Sequence, residues 1–275
     1  MNLNTIVEVK RPQSFEEIEW RDGHAWLGGG TWLFSEPQVA TDTLVDLGRL
    51  GWPALTASAA GLEIAATCKI VELHDFEGPA EWRAVPLFDK CIDAFLMSFK
   101  IWNAATVGGN VCMSLPAGAM ISLTAALEGV CTLWPQPGQL NGSKPRKVPI
   151  VDFVTGVHTN VLQKGELLRS IFLPAAALSR RFAMRQVSLT HFGRSTALIV
   201  ATVGDNGEDF LLTISAATPR PVHLRFNKTP SSDQLRQAID ARLPPAAWFQ
   251  DVHGSAPYKR HVTHYLADQI RAELS

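Results

Sequence analysis

Three consecutive glycines, Gly28-Gly29-Gly30, follow the short apolar run Ala25-Trp26-Leu27 and run into Thr31. No other feature constrains the fold as strongly. Glycine has no Cβ, so a strand entering three of them ends in backbone that can take positive φ and lie close against a ligand or another segment. Successive exposed amides in such a turn form a concave donor surface for an anion, and the Thr31 hydroxyl adds a further donor. A second glycine-rich stretch, Ala104-Ala105-Thr106-Val107-Gly108-Gly109-Asn110-Val111, offers a similar surface. Two such loops suit a diphosphate, because neutral donors share its charge and no lysine is needed. Neither stretch reads G-x-G-x-x-G or G-x-x-x-x-G-K-[ST], which argues against a standard Rossmann domain or phosphate loop. Each loop taken alone reads more readily as an ordinary tight turn.

The rest of the chain alternates short strands and helices. Ile6–Val9 reads as an edge strand, Phe15–Trp20 as a brief helix with Glu16 and Glu17 in its first turn, and Thr43–Asp46 as another strand. Gly61–Ala66 alternates polar and apolar positions, the pattern of a half-buried strand. A helix is predicted over Val85–Ile101, feeding the second glycine loop, and another over Ala119–Leu127. Strands are expected at Val130–Trp134 and Glu166–Phe172, with ordered structure restarting at Val148–Phe153 after an exposed turn region from Pro135 to Pro145. Pro174 and the small, basic stretch through Arg181 mark a domain boundary. Beyond it, Phe182–Leu189, Ala197–Val203 and Phe210–Ala216 read as three strands, with a hairpin at Gly204-Asp205-Asn206-Gly207. Helices at Ser232–Arg242 and Tyr258–Leu274 close the chain. Hairpin-paired strands followed by a helical tail predict an α+β architecture for this second part.

Composition removes several classes of function. Of the 275 residues 46% are hydrophobic and 19% charged, and the formal net charge of -1 gives no electrostatic reason to expect nucleic acid as a partner. Cys68, Cys91, Cys112 and Cys131 show none of the close spacings of a zinc or iron–sulfur site and read as small buried thiols of a reduced intracellular protein. Any metal centre that exchanges electrons with this chain must then sit in another polypeptide. The start, MNLNTIVEVKRPQ, has no apolar core of a signal peptide, and the apolar runs are far short of a membrane span, so a cytoplasmic location is expected. There are eight tryptophans against two tyrosines. Trp32, Trp102 and Trp134 lie beside glycine- or proline-rich segments, where they could wall a pocket or simply fill a core.

At Leu27-Gly-Gly-Gly-Thr31-Trp-Leu33 the chain resembles the first FAD-pyrophosphate loop of the flavoprotein subunits of molybdenum hydroxylases, the family of xanthine dehydrogenase and carbon monoxide dehydrogenase. Ile101-Trp-Asn-Ala-Ala-Thr106-Val-Gly-Gly-Asn110 resembles their second flavin loop, and Ser114-Leu-Pro116-Ala-Gly118 its continuation. Leu44-Val-Asp-Leu47, Gly165-Glu-Leu-Leu168 with Pro174, Ala217-Thr-Pro219-Arg-Pro-Val222 and Gly254-Ser-Ala-Pro-Tyr258-Lys-Arg260 resemble further family segments in the expected order. The resemblance implies a two-part FAD-binding region at 1–174, divided near residue 50, and a smaller α+β carboxy-terminal domain at 175–275 with an antiparallel sheet and helices. It implies FAD in this chain. A molybdenum cofactor is then expected in a large partner subunit and two [2Fe-2S] clusters in a small one, an assembly that the family arrangement allows to pair into a dimer of heterotrimers. Electrons would leave the flavin for NAD, oxygen or another acceptor.

The cofactor-binding residues implied are Gly28, Gly29, Gly30, Thr31, Trp32, Trp102, Thr106, Gly108, Gly109, Asn110, Leu168 and Arg185; no catalytic acid, base or nucleophile is assigned. Three positions depart from the family's pattern. Trp32 stands where aspartate is common after the loop threonine, Trp102 where arginine is common, and Ala119 where an aspartate follows the Pro-Ala-Gly step. Tryptophan and alanine cannot reproduce those directional polar contacts, although tryptophan can stack on a ring of the cofactor. A non-catalytic structural subunit with a degenerate flavin cleft is therefore the alternative. A stand-alone flavin oxidase is disfavoured, because the chain offers no convincing acid–base set for a substrate.

Overall fold

The computed structural model describes residues 3–138 and 144–275, so the middle of the expected 135–145 turn region lies outside the described residues. The chain opens with a parallel sheet in which β3 (Thr43–Asp46) lies between β1 (Glu8–Lys10) and β2 (His24–Leu27). Its small core gathers Phe15, Ile18, Val45, Leu47, Leu50 and Leu167. Tryptophans surround that core: Trp20 stacks on Trp26 at 4.2 Å, and Trp134 meets Phe15 edge-on at 4.9 Å and Trp52 at 5.6 Å. The Arg169 guanidinium lies 4.1 Å over Trp52. Trp134 thus joins the first sheet to the next unit instead of walling a pocket. The helix expected at Phe15–Trp20 does not form. Ile18 N–H donates to the Phe15 carbonyl at 3.3 Å, closing one turn, while the Glu17 carboxylate takes the Gln13 amide at 2.9 Å. Burial of Phe15 and Ile18 outweighs the local helical signal.

The middle unit runs β4 (Leu55–Ser58), β5 (Gly61–Ala65), α1 (Ile70–His74), α2 (Leu87–Asp93), α3 (Phe99–Trp102), α4 (Val107–Met113), α5 (Ala119–Ala126), β6 (Val130–Trp134), β7 (Arg146–Pro149), α6 (Ile150–Phe153), β8 (Val154–Gly156), β9 (Thr159–Asn160) and β10 (Leu167–Pro174). Five of its strands form an antiparallel sheet in the order β4-β5-β10-β6-β7. The single helix expected over Val85–Ile101 is broken in two. Leu96 takes a left-handed φ of 51°, and α3 restarts after Ser98. The second glycine stretch, expected to be a loop, is the first turns of α4.

The last unit follows the short helix α7 (Ala175–Leu178) with an antiparallel sheet in the order β11-β12-β13-β14, built from β11 (Arg181–Ser188), β12 (Ser195–Val203), β13 (Glu208–Ser215) and β14 (Val222–Lys228). The sequence showed three of these strands; β14 is a fourth. Asn206 and Gly207, both at positive φ, make the β12–β13 turn, as a two-residue hairpin requires. Helices α8 (Ser232–Arg242) and α9 (Ala256–Leu274) complete the chain.

All nine residues of β12 are buried, because both faces of the sheet are covered. Ile199, Ala201 and Val203 pack with Leu235, Ile239, Leu266 and Ile270 of α8 and α9. Leu198 and Val200, facing the other way, belong to the large core around α5. Helix α5 is wholly buried and apolar on every face apart from the hydroxyls of Ser122 and Thr124, as suits a helix enclosed between layers. The Ser122 and Ser215 hydroxyls share a 2.7 Å hydrogen bond across this seam, and His223 Nε2 contacts the Ala125 carbonyl at 3.0 Å. The architecture is α+β.

Candidate functional site

Strand β2 delivers the chain into Gly28-Gly29-Gly30, and the geometry there explains each glycine. A Cβ on Gly29 would fall 1.8 Å from the Ala104 carbonyl oxygen, and one on Gly28 would fall 2.9 Å from Thr106 Oγ1. The two glycine-rich stretches therefore touch backbone to backbone. Gly30 takes φ 71°, in the left-handed region, and Phe34 occupies the space a side chain would need. Among the described residues, nothing accepts a hydrogen bond from the amides of Gly29, Gly30, Thr31, Trp32 or Leu33. Five successive amides without an acceptor among the described residues, beside a left-handed glycine, are a donor run of the kind that can hold an anion.

Helix α4 behaves differently. Val107 N–H donates to Cys68 O at 2.9 Å, Gly108 N–H to Ala66 O at 3.1 Å, Gly109 N–H to Thr106 Oγ1 at 3.0 Å and Asn110 N–H to Thr106 O at 3.0 Å. Its amides are already used, so the expected second donor surface is absent from the backbone. What this stretch presents instead is the Asn110 side chain. Asn110 Oδ1 accepts from Met120 N–H at 3.1 Å, in the first turn of α5, leaving the Nδ2 donors without an acceptor among the described residues.

These groups open on one cavity of about 660 Å³, within the range of small-molecule and cofactor sites. Gly28 to Leu33 form one wall, and Thr106, Gly109 and Asn110 with Leu115 to Gly118 form a second. Ala94 to Met97 and Ile101, at the break between α2 and α3, supply an apolar side. The last unit contributes Phe192, Arg194, Ser195, Ala216, Phe249, Asp251 and His253. Asp251 is paired with Lys259, a fully buried lysine 2.9 Å away that also donates to the Ala216 carbonyl at 3.2 Å. The Cys112 thiol in the wall is pushed up to about 12 by burial, so it stays protonated and is no nucleophile.

The cavity gathers Gly28, Gly29, Gly30, Thr31, Trp32, Thr106, Gly109 and Asn110 from the residues expected in the site; Gly108, Trp102, Leu168 and Arg185 lie outside its lining. Gly108 is instead required by packing, since a Cβ there would lie 2.5 Å from Ala66 Cβ. Trp102 faces His74, with ring centroids 5.2 Å apart. Leu168 is buried in the large core, and Arg185 pairs with Glu273 at 2.5 Å. Sequence reasoning missed the wall from the last unit. Arg194 and Asp251 lie far from the glycines in sequence, and no spacing announces that a distant sheet closes the cleft.

Residues 3–176 match the family described as the FAD binding domain in molybdopterin dehydrogenase. The chain belongs to this family. Chains of known structure share the fold over nearly the whole length of this one. The corresponding chain of quinoline 2-oxidoreductase from Pseudomonas putida 86 has a TM-score of 0.77 at 16% identity, with 97% of this chain and 96% of that chain covered. Carbon monoxide dehydrogenase from Hydrogenophaga pseudoflava gives 0.77 at 19% identity, with 96% of each chain covered. Reconstituted carbon monoxide dehydrogenase from Oligotropha carboxidovorans gives 0.78 at 18%, with 96% and 97% covered. At such identities the likeness is one of fold. Among curated proteins, none matches the sequence.

Proposed function

We propose that this chain binds FAD in the cavity beside Gly28–Leu33 and serves as the electron-transfer subunit of a molybdenum hydroxylase. The observation that carries the reading is the run of five amides, from Gly29 to Leu33, that have no acceptor among the described residues and belong to residues lining a cavity of cofactor size. A diphosphate is the anion such a surface fits, and Asn110 Nδ2 and the Thr31 and Thr106 hydroxyls add donors around it. Residues 1–174 would carry the nucleotide, while 175–275 would close the cleft and keep water from it. Bound FAD would supply the redox chemistry, taking electrons from iron–sulfur clusters in a small partner subunit and passing them to NAD, oxygen or another acceptor. Substrate oxidation would occur at a molybdenum cofactor in a large partner subunit.

The chain's own residues bind, orient and exclude water. Among the described residues no three potential metal ligands come together, and no helix is long and apolar enough to cross a membrane. One departure favours a degenerate cleft: Trp32 lines the cavity in place of a polar residue. The other two bear less on it, since Trp102 lies outside the lining and Ala119 is fully buried at the start of α5. A titration of the full chain with FAD, followed by quenching of flavin fluorescence, separates the readings. Saturable 1:1 binding that ADP competes away supports the FAD site. Failure of both the chain and its native complex to bind FAD leaves the structural subunit as the better account.

A further inference from the structure

The free amides of the glycine turn are neutral donors, and a diphosphate brings about two negative charges at neutral pH. A cation lies beside them. The Arg194 guanidinium carbon sits 5.6 Å from the centroid of the Trp32 ring, and both side chains line the same cavity. Trp32 belongs to the five-amide run itself, so the stack ties the arginine to a residue that supplies one of those donors. Guanidinium groups stack on indole faces through the ring quadrupole and keep their charge at any working pH. Among the described residues no carboxylate pairs with Arg194. The carboxylate in the cavity wall, Asp251, is neutralised by the buried Lys259. Arg194 is accordingly left as a cation without a paired carboxylate in the cavity lining.

We propose that Arg194, positioned by Trp32, is the cation that recognises the diphosphate of the dinucleotide, reaching the nucleotide-holding unit from the turn between β11 and β12. This rests on the reading that the cavity takes FAD. It assigns Trp32 a purpose that its apolar ring does not suggest: the indole face holds in place a positive charge that comes from another part of the chain. The arginine is the part that contacts the ligand, and the tryptophan is a positioning residue.

The test measures equilibrium binding of FAD, ADP and riboflavin to the full chain and to its Arg194→Gln and Arg194→Lys variants. Arg194 is exposed, so both variants keep the fold, and circular dichroism verifies this. FAD and ADP should bind about tenfold more weakly to Arg194→Gln, which corresponds to about 1.4 kcal/mol. The Arg194→Lys variant, with the charge but not the planar stack, should fall between. Riboflavin, which has no phosphate, should bind the wild type and both variants alike. The difference for FAD should shrink between 0.05 and 0.5 M salt, roughly a threefold shortening of the screening length. Trp32→Phe, which weakens the stack, should lower FAD affinity in the wild-type background and leave it unchanged in the Arg194→Gln background. Wild-type binding of FAD with unchanged affinity in Arg194→Gln would overturn the role of Arg194 alone. No FAD binding by the wild type, free or in its native complex, would overturn the cofactor reading and this proposal together. Equal losses for riboflavin and FAD would also overturn it, by showing an effect unrelated to phosphate.

Discussion

Gly29 and Gly109 look interchangeable in the sequence, yet their surroundings differ. A Cβ on Gly29 would fall 1.8 Å from the Ala104 carbonyl oxygen and 2.7 Å from its carbon, both backbone atoms that cannot step aside. At Gly109 the one atom within 4 Å is the Thr106 hydroxyl, at 2.8 Å, which can rotate. Gly29→Ala should therefore destabilise the chain by about 3 kcal/mol, at the upper end for an overpacked site. Gly109→Ala should cost about 1 kcal/mol, chiefly through a disturbed cap on α4. Urea unfolding of the two variants decides this, and equal losses would contradict it. At this scale the sequence showed that Gly28–Gly30 allow close approach, because only glycine tolerates it. It did not show what approaches, because Ala104 is brought there by tertiary structure.

Glu128, Arg180, Asp209 and Arg225 hold elements together across the seam between the middle and last units. The mostly buried Arg180 pairs with Glu128 at 3.0 Å and with Asp209, while Arg225 reaches Glu128 at 2.5 Å and Asp209 at 2.6 Å. The hydrogen bond from Arg225 is the main cause that holds the Asp209 carboxyl below the usual carboxylate range. A depressed carboxylate stabilises the fold above its unfolded pKa, near 3.9, and that stability is lost as pH falls through the folded value. Asp209→Asn should thus lower stability at pH 7 by about 1 kcal/mol, a modest figure because the group is partly exposed to screening solvent. The difference from wild type should narrow below about pH 4, and a constant difference down to pH 2 would contradict the account. Elements with a single strong signal were legible: β3, β6 and α8 match their expected bounds. Helix α4 was not, because a Gly-Gly pair reads as a loop, whereas here Gly108 is demanded by the contact with Ala66. Strand β14 was hidden behind Pro219 and Pro221, and the break in the 85–101 helix followed from a left-handed Leu96 that no local residue announces.

For the whole molecule, three histidines set the response to mild acid. Burial is the leading cause that lowers the pKa of His24, His223 and His264, and it prevails at His223 over the bond to Ala125 and at His264 over Asp240. The unfolded chain, with ordinary histidines near 6.5, then binds more protons than the folded one as pH falls through that value. Stability should decline from pH 7 toward pH 5, before the carboxylate pairs titrate. The urea midpoint measured across that window checks this, and His223→Gln should flatten its slope. A midpoint that stays level or rises toward pH 5 would contradict it. The fold class was readable from the order of strands and helices, and the glycine wall of the site from its motifs. The closing wall was not, because it is a product of how the last sheet packs over α5.

The central claim, that this chain carries FAD, is tested most directly by the flavin content of the native protein. The endogenous complex and the isolated chain are purified without added FAD, denatured, and the released flavin is quantified by absorbance and chromatography. The account predicts about one FAD per copy of this chain in the complex and less in the isolated chain, since partners that order the cleft raise affinity through binding linkage. A fully metallated, active complex that contains no FAD and takes none up when it is supplied would contradict it.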